Sequence, residues 1–278
     1  MSYLDIGLLI AVGIAAGGLG ALTGMGGGVV VVPVLTLGFG LPAQLAIGAS
    51  IFGVVATSIG AARRVMVSGL TNLRAGLVLQ VAASGGALIG VVIAHFVSSQ
   101  ALILVFGIML LPTAVLSYVS AKGHEAPVAE SSGAAAWFEL GGSYTEADGS
   151  TRSYGVIGLG RGFPMMIGAG LLSALLGIGS GAFKVLAMDR FMRLPFRVST
   201  ATSNFMIGIT AATGAGYYLS HGDTPPLVVA PIVLGILAGS ALGARLLPRI
   251  RVANLRLLFT LVLALVAVEM ILRGLGVA

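Results

Sequence analysis

Eight apolar stretches dominate the chain, at approximately 6–40, 44–62, 75–95, 101–119, 163–190, 198–219, 226–247 and 252–272. A helix needs about 20 apolar residues to cross a bilayer, so most of these runs predict one membrane passage each. One long polar stretch, 120–160, separates the first four from the last four and holds Trp137 and most of the acidic residues. Within it, Tyr144 to Tyr154 alternates loosely around the turn dipeptide Asp148-Gly149, which predicts either a small β-hairpin or an unstructured linker.

The two sets of runs are copies of one another. A shift of 153 residues aligns Gly17–Gly53 with Gly170–Met206 without a gap, and 12 of the 37 pairs are identical. The matches include Gly24/Gly177, Gly26/Gly179, Gly28/Gly181, Pro42/Pro195, Ser50/Ser203 and Phe52/Phe205, and the same offset superposes Gly86 and Gly90 on Gly239 and Gly243. The expected organisation is a first transmembrane repeat over 1–119, a polar cytoplasmic linker over 120–160 and a second transmembrane repeat over 161–278.

Each copy opens with an apolar run that glycine interrupts: Gly24-Met25-Gly26-Gly27-Gly28 in the first, Gly177-Ile178-Gly179-Ser180-Gly181 in the second. Each glycine costs a helix about 1 kcal/mol relative to alanine, so neither segment continues as a helix. Broken backbone is tolerated in a membrane where protein or a water-filled cavity surrounds it, and paired breaks in two repeats point to a transporter's binding site. If each broken element is a re-entrant hairpin, three crossings follow it in each half and the second half is inverted. Thirteen of the fifteen basic residues then lie on the cytoplasmic side, leaving Lys184 in the membrane and Arg273 outside. The positive-inside tendency favours that arrangement over eight simple spans, although 6–23 alone is long enough to cross. The predicted fold is an all-α polytopic membrane protein of two inverted repeats, each a Gly-broken re-entrant helix followed by three transmembrane helices.

Composition narrows the function classes. Of 278 residues, 57% are hydrophobic and only 9% charged, and the mean hydropathy is +1.07; a soluble domain carries roughly 25% charged residues. The net charge of +6 is dispersed between apolar runs rather than gathered in a patch, which argues for cytoplasmic loops and against nucleic-acid binding. The absence of cysteine excludes disulfides, iron–sulfur clusters and thiolate metal sites. No side chains fall at metal-ligand spacing, and no cofactor is implied. The expected partners are a small anionic substrate and the lipid bilayer. Small-residue pairs such as Gly20/Gly24, Gly86/Gly90 and Gly239/Gly243 suit close helix packing within one chain or across a homodimer.

The candidate substrate site follows from the breaks. Free N–H groups where a helix restarts attract anions, which singles out Gly24, Gly26, Gly27, Gly28, Gly177, Gly179, Ser180 and Gly181. Lys184 lies three residues beyond the second break where the first copy has Val31; an intramembrane lysine points to function, with an internal pair to Asp189 or snorkelling to the interface as the structural alternatives. Ser50, Thr202, Ser203 and Asn204 follow on the next helices and could bind oxyanion oxygens or bond helix to helix. Glu269 and Arg273 read as an i, i+4 ion pair. Gly179-Ser180-Gly181 also admits an intramembrane serine hydrolase at Ser180, but no histidine lies within a later helix to serve as its base.

The runs GGLGALTGMGGGVVVVPVL (17–35) and GLLSALLGIGSGAFKVLAM (170–188), each followed by a proline-containing turn and a serine-bearing helix (TSNF at 202–205), resemble the TauE/SafE family of membrane transporters. The resemblance covers nearly all of the chain outside 120–160. It implies a carrier, not an enzyme, that moves sulfite, sulfoacetate or other organosulfonates outward across the prokaryotic plasma membrane. A channel or uptake permease for other oxyanions is the alternative. The chain departs from the family's glycine pattern at Ser180.

Overall fold

The computed structural model describes residues 3–23, 26–67, 69–119, 130–145, 150–246 and 252–276. The apolar runs form long helices: α1 (Tyr3–Thr23), α3 (Ala43–Val67), α4 (Leu73–Phe96) and α5 (Ser99–Val119) before the polar stretch, and α7 (Leu159–Leu176), α9 (Phe196–Ser220), α10 (Pro226–Leu246) and α11 (Val252–Gly274) after it. Between them lie the short helices α2 (Gly28–Pro33), α6 (Ala134–Trp137) and α8 (Gly181–Leu186). Five helices among the described residues are long and apolar enough to cross a membrane, with windows Tyr3–Ala21, Ala43–Ala62, Leu73–Phe96, Leu159–Leu176 and Pro226–Gly243. This is a multi-pass membrane protein.

Elements recur at the sequence offset. The pairs Gly28 and Gly181, Ala43 and Phe196, Leu73 and Pro226, and Ser99 and Val252 each open corresponding helices 153 positions apart. A π-helical turn follows both short helices, at Val34–Gly38 and Ala187–Phe191. Pro33 precedes only the first of them, so a missing proline N–H is not the common cause.

Glycines set the registers between helices. A Cβ at Gly86 or Gly90 on α4 would strike the Ile167 or Leu171 carbonyl on α7, and one at Gly239 or Gly243 on α10 would strike the Ile14 or Gly18 carbonyl on α1. In both pairs residue numbers rise together, so the helices run parallel. Gly208 meets Ser58 while Gly214 meets Ile51, and Gly107 meets Ile271 while Gly274 meets Leu104. The α3/α9 and α5/α11 pairs therefore run antiparallel. Each copy's first helix thus packs on the other copy's α4-type helix, and the two central helices, α3 and α9, pack against one another. Protein surrounds α9 on several sides, and its buried face carries Ser199, Thr202, Ser203 and Thr210. That burial explains why so polar a segment can lie in the membrane core, each hydroxyl finding a protein partner.

The chain doubles back at each break. After α1, Gly27 returns against Ala16, and a Cβ at Gly20 would lie 2.6 Å from the Gly27 nitrogen; Gly20 therefore seats the returning chain rather than a neighbouring helix. In the second copy the Ile157 N–H, just before α7, donates to the Met192 carbonyl at 3.2 Å, just after the π-turn. Entry and exit of the second broken element touch.

In the polar stretch, β1 (Gly142–Thr145) and β2 (Thr151–Tyr154) pair antiparallel, Gly142 opposite Tyr154 and Thr145 opposite Thr151. The Asp148-Gly149 turn lies outside the described residues. Leu140 and Val156 are buried against Met166, Met188 and Met192. Asn72 caps α4 by accepting the Ala75 N–H at 2.9 Å, and its amide donates to the Leu140 carbonyl at 2.7 Å and the Tyr154 hydroxyl at 3.0 Å. Beside it, Arg74 and Glu139 form an exposed ion pair.

Candidate functional site

The two breaks abut. A Cβ at Gly28 would collide with the Gly177 carbonyl and lie 2.6 Å from the Ser50 hydroxyl; one at Gly26 would lie 3.8 Å from the Ile178 carbonyl. Gly24 lies outside the described residues. Gly26, Gly177 and Gly179 adopt φ of +78°, +68° and +74°, backbone that L side chains adopt at a cost. Glycine is thus required both for the turn and for the approach of one break to the other.

Hydroxyls from the central helices tie the breaks down. Ser50 on α3 donates to the Gly177 carbonyl at 2.7 Å, across the two copies. Ser203 on α9, at the matching position, donates to the Gly181 carbonyl at 3.2 Å. Both hydroxyl protons are therefore used on backbone. Thr57 accepts the Gly27 N–H at 3.3 Å while donating to the Gly53 carbonyl at 2.9 Å. Its counterpart Thr210 donates to the Met206 carbonyl at 2.9 Å and accepts, at 2.7 Å, from the Lys184 ammonium.

Lys184 is fully buried. Among the described residues it makes no ion pair, and Asp189 is not its partner; Thr210 is the one hydrogen-bond acceptor it meets. Gln80 on α4 donates to the same Thr210 hydroxyl at 3.1 Å and to Ser84 at 2.7 Å. The position of the ammonium follows from helix direction. In the first copy Gly28 lies beside Ser50 and Gly27 beside Thr57, so α2 and α3 run antiparallel, and the corresponding α8 and α9 likewise place Gly181 beside Ser203. Ser203 stands at the start of α8, whereas Thr210 stands seven residues further along α9, about 10 Å at 1.5 Å per residue. To reach it, Lys184 points back along α8 past Gly181, as helical side chains lean, and lies at the level of the break.

Ser180 adds a second unmet group. It holds φ of +45° and ψ of +28°, the left-handed region where a non-glycine residue is strained, and its buried hydroxyl has no hydrogen-bond partner. An unpaired buried hydroxyl costs about 1–3 kcal/mol. The same isolation leaves Ser180 without a base, as a serine nucleophile requires.

Two predicted residues stand apart from the breaks. The Thr202 hydroxyl accepts the Asn72 N–H at 3.0 Å and so supports the turn before α4. Asn204 lines an apolar groove of about 400 Å³ between α3 and α9 with Val55, Ser58, Phe205 and Ile209. Conversely, Thr57, Thr210 and Gln80 contact the breaks or Lys184 directly or through one another but are not in the sequence-based candidate set. Thr57 and Thr210 are separated by the repeat offset of 153, a signal that could have found them; Gln80 had no such mark. Glu269 and Arg273 form the i, i+4 pair at 3.2 Å.

Known proteins are similar to this chain over most of its length. The family model described as "Sulfite exporter TauE/SafE" matches residues 9–270. "Probable membrane transporter protein YunE" of Bacillus subtilis (strain 168) is 26% identical over 276 residues, covering 96% of this chain and 97% of its own. "Probable membrane transporter protein YdhB" of the same organism is 27% identical, covering 89% of this chain and 92% of its own. A probable membrane transporter protein of Methanocaldococcus jannaschii is 27% identical and covers 95% of each chain. No solved structure matches.

Proposed function

We propose that this chain, which belongs to the TauE/SafE family of membrane transporters, is a secondary carrier exporting small sulfur-containing anions such as sulfite or organosulfonates. The membrane it serves in this reading is the prokaryotic plasma membrane. The observation that carries the reading is the buried Lys184 ammonium, without a counter-ion among the described residues, at the level of two abutting glycine breaks. A buried charge costs several kcal/mol unless it is paired, and an anion between the breaks would pair it. The unpartnered Ser180 hydroxyl would donate to the same anion.

The antiparallel pairing of α3 with α9 and of α5 with α11 supports two inverted repeats, 1–119 and 161–278, joined by a cytoplasmic linker. The contact between Ile157 and Met192 supports re-entrant elements that enter and leave on one face. In this reading access alternates by rocking, and the bodies that rock are not the two halves of the sequence. They are mixed bundles, α1 with α10 against α7 with α4, because those two pairs share the most extensive packing.

The test is flux of sulfite, sulfoacetate, sulfate and thiosulfate in proteoliposomes containing the full chain. Counterflow of sulfite or an organosulfonate above protein-free vesicles is the expected result. No movement of any of these anions in either direction would overturn the reading.

A further inference from the structure

Resting on the reading that the breaks hold an anion, the charge arrangement around Lys184 narrows the class of anion. We propose that the site selects anions bearing a single negative charge, with Gln80 and Thr210 as the residues that position the neutralising ammonium.

Among the described residues, Lys184 is the one buried side chain that carries charge. The charged groups on the elements packed against α8 lie at its far end or at helix starts: Asp189 half-buried and Arg190 exposed on the π-turn, Arg161 and Arg197 exposed at the starts of α7 and α9. None pairs with Lys184. A monoanion therefore brings the buried site to neutrality. A dianion leaves one uncompensated negative charge in a region of low dielectric, where solvation no longer offsets it.

The geometry at the ammonium fits the same count. The Thr210 hydroxyl is saturated: it donates to Met206 and accepts from both Gln80 and Lys184. It holds one N–H of the ammonium and leaves two for a ligand. Gln80, itself bonded to Ser84, fixes the orientation of that hydroxyl. In the first copy Val31 stands at the position of Lys184 and Thr57 accepts backbone instead, so among the described residues no second cation is provided there.

The experiment compares tetrahedral anions of similar size and fixed charge on the full chain in detergent, by calorimetric titration at constant pH. Methanesulfonate carries one charge; sulfate and thiosulfate carry two. The expected result is methanesulfonate binding at least about tenfold tighter than either dianion, with Lys184→Met weakening methanesulfonate and narrowing the gap. Thr210→Val should weaken methanesulfonate more than its effect on thermal stability explains, because the ammonium survives but is no longer held. Sulfate or thiosulfate binding as tightly as methanesulfonate to the unaltered protein would overturn the charge selection while leaving the anion site standing. No binding of any anion would overturn both. The comparison on the unaltered chain decides the matter even if both variants fail to fold.

Discussion

Ser50 and Gly177 lie 127 positions apart, yet the Ser50 hydroxyl donates to the Gly177 carbonyl at 2.7 Å. One hydrogen bond thus joins the central helix of the first copy to the break of the second. Ser50→Ala leaves that carbonyl buried without a donor, a loss of about 1–3 kcal/mol. The expected outcome is a lower melting temperature in detergent together with reduced anion flux. Unchanged values for both would remove Ser50 from the site.

Gly28 is where the breaks approach most closely. Gly28→Ala forces a methyl group into the Gly177 carbonyl, and the neighbour is backbone that cannot step aside. Flux should fall by an order of magnitude or more. Gly85 and Gly168 are exposed helical positions with open space around them, so alanine there should leave flux intact and stabilise by about 0.5–1 kcal/mol. Parallel flux and melting measurements on the three variants check the contrast.

Ser180→Gly relieves left-handed strain and deletes an unpaired hydroxyl, each about 1 kcal/mol. The variant should melt higher while binding anions more weakly. A rise in stability with unaltered affinity would make Ser180 a turn residue alone.

Gly86 and Gly239 occupy matching positions, and each lets its helix lie against the carbonyls of a partner, Ile167 and Ile14. Alanine at either should destabilise by a similar amount, about 1–3 kcal/mol from overpacking. Thermal melts of the two single variants test this equivalence between copies.

Asn72 binds the hairpin segment to the start of α4 through Leu140 and Tyr154. Burial raises the Tyr154 phenol above its ordinary value of 10.0, and the Asn72 hydrogen bond opposes the rise. A raised folded value means that this contribution to docking is complete below the ordinary tyrosine range and is lost as pH climbs through the folded value. Asn72→Ala also removes the cap of α4, at about 1 kcal/mol. Limited proteolysis within 130–158 should be faster in the variant at neutral pH, and faster in the unaltered protein only in strong alkali.

The repeat, its offset, the polar stretch between the copies and the two breaks were all legible in the residues, because apolar periodicity and runs of glycine act locally on the chain. So was the intramembrane lysine, since a charge within an apolar run stands out without any contact being known. Tertiary structure alone decided which groups those features meet. Gly28 and Gly177 touch, Lys184 turns to Thr210 and Gln80 rather than to Asp189, the Ser50 and Ser203 protons are used on backbone, and Asn204 faces a groove away from the breaks. The physical reason is that a hydroxyl or amide on a membrane helix must find a partner inside the protein. Which partner it finds depends on helix registers set by close glycine contacts between the two copies.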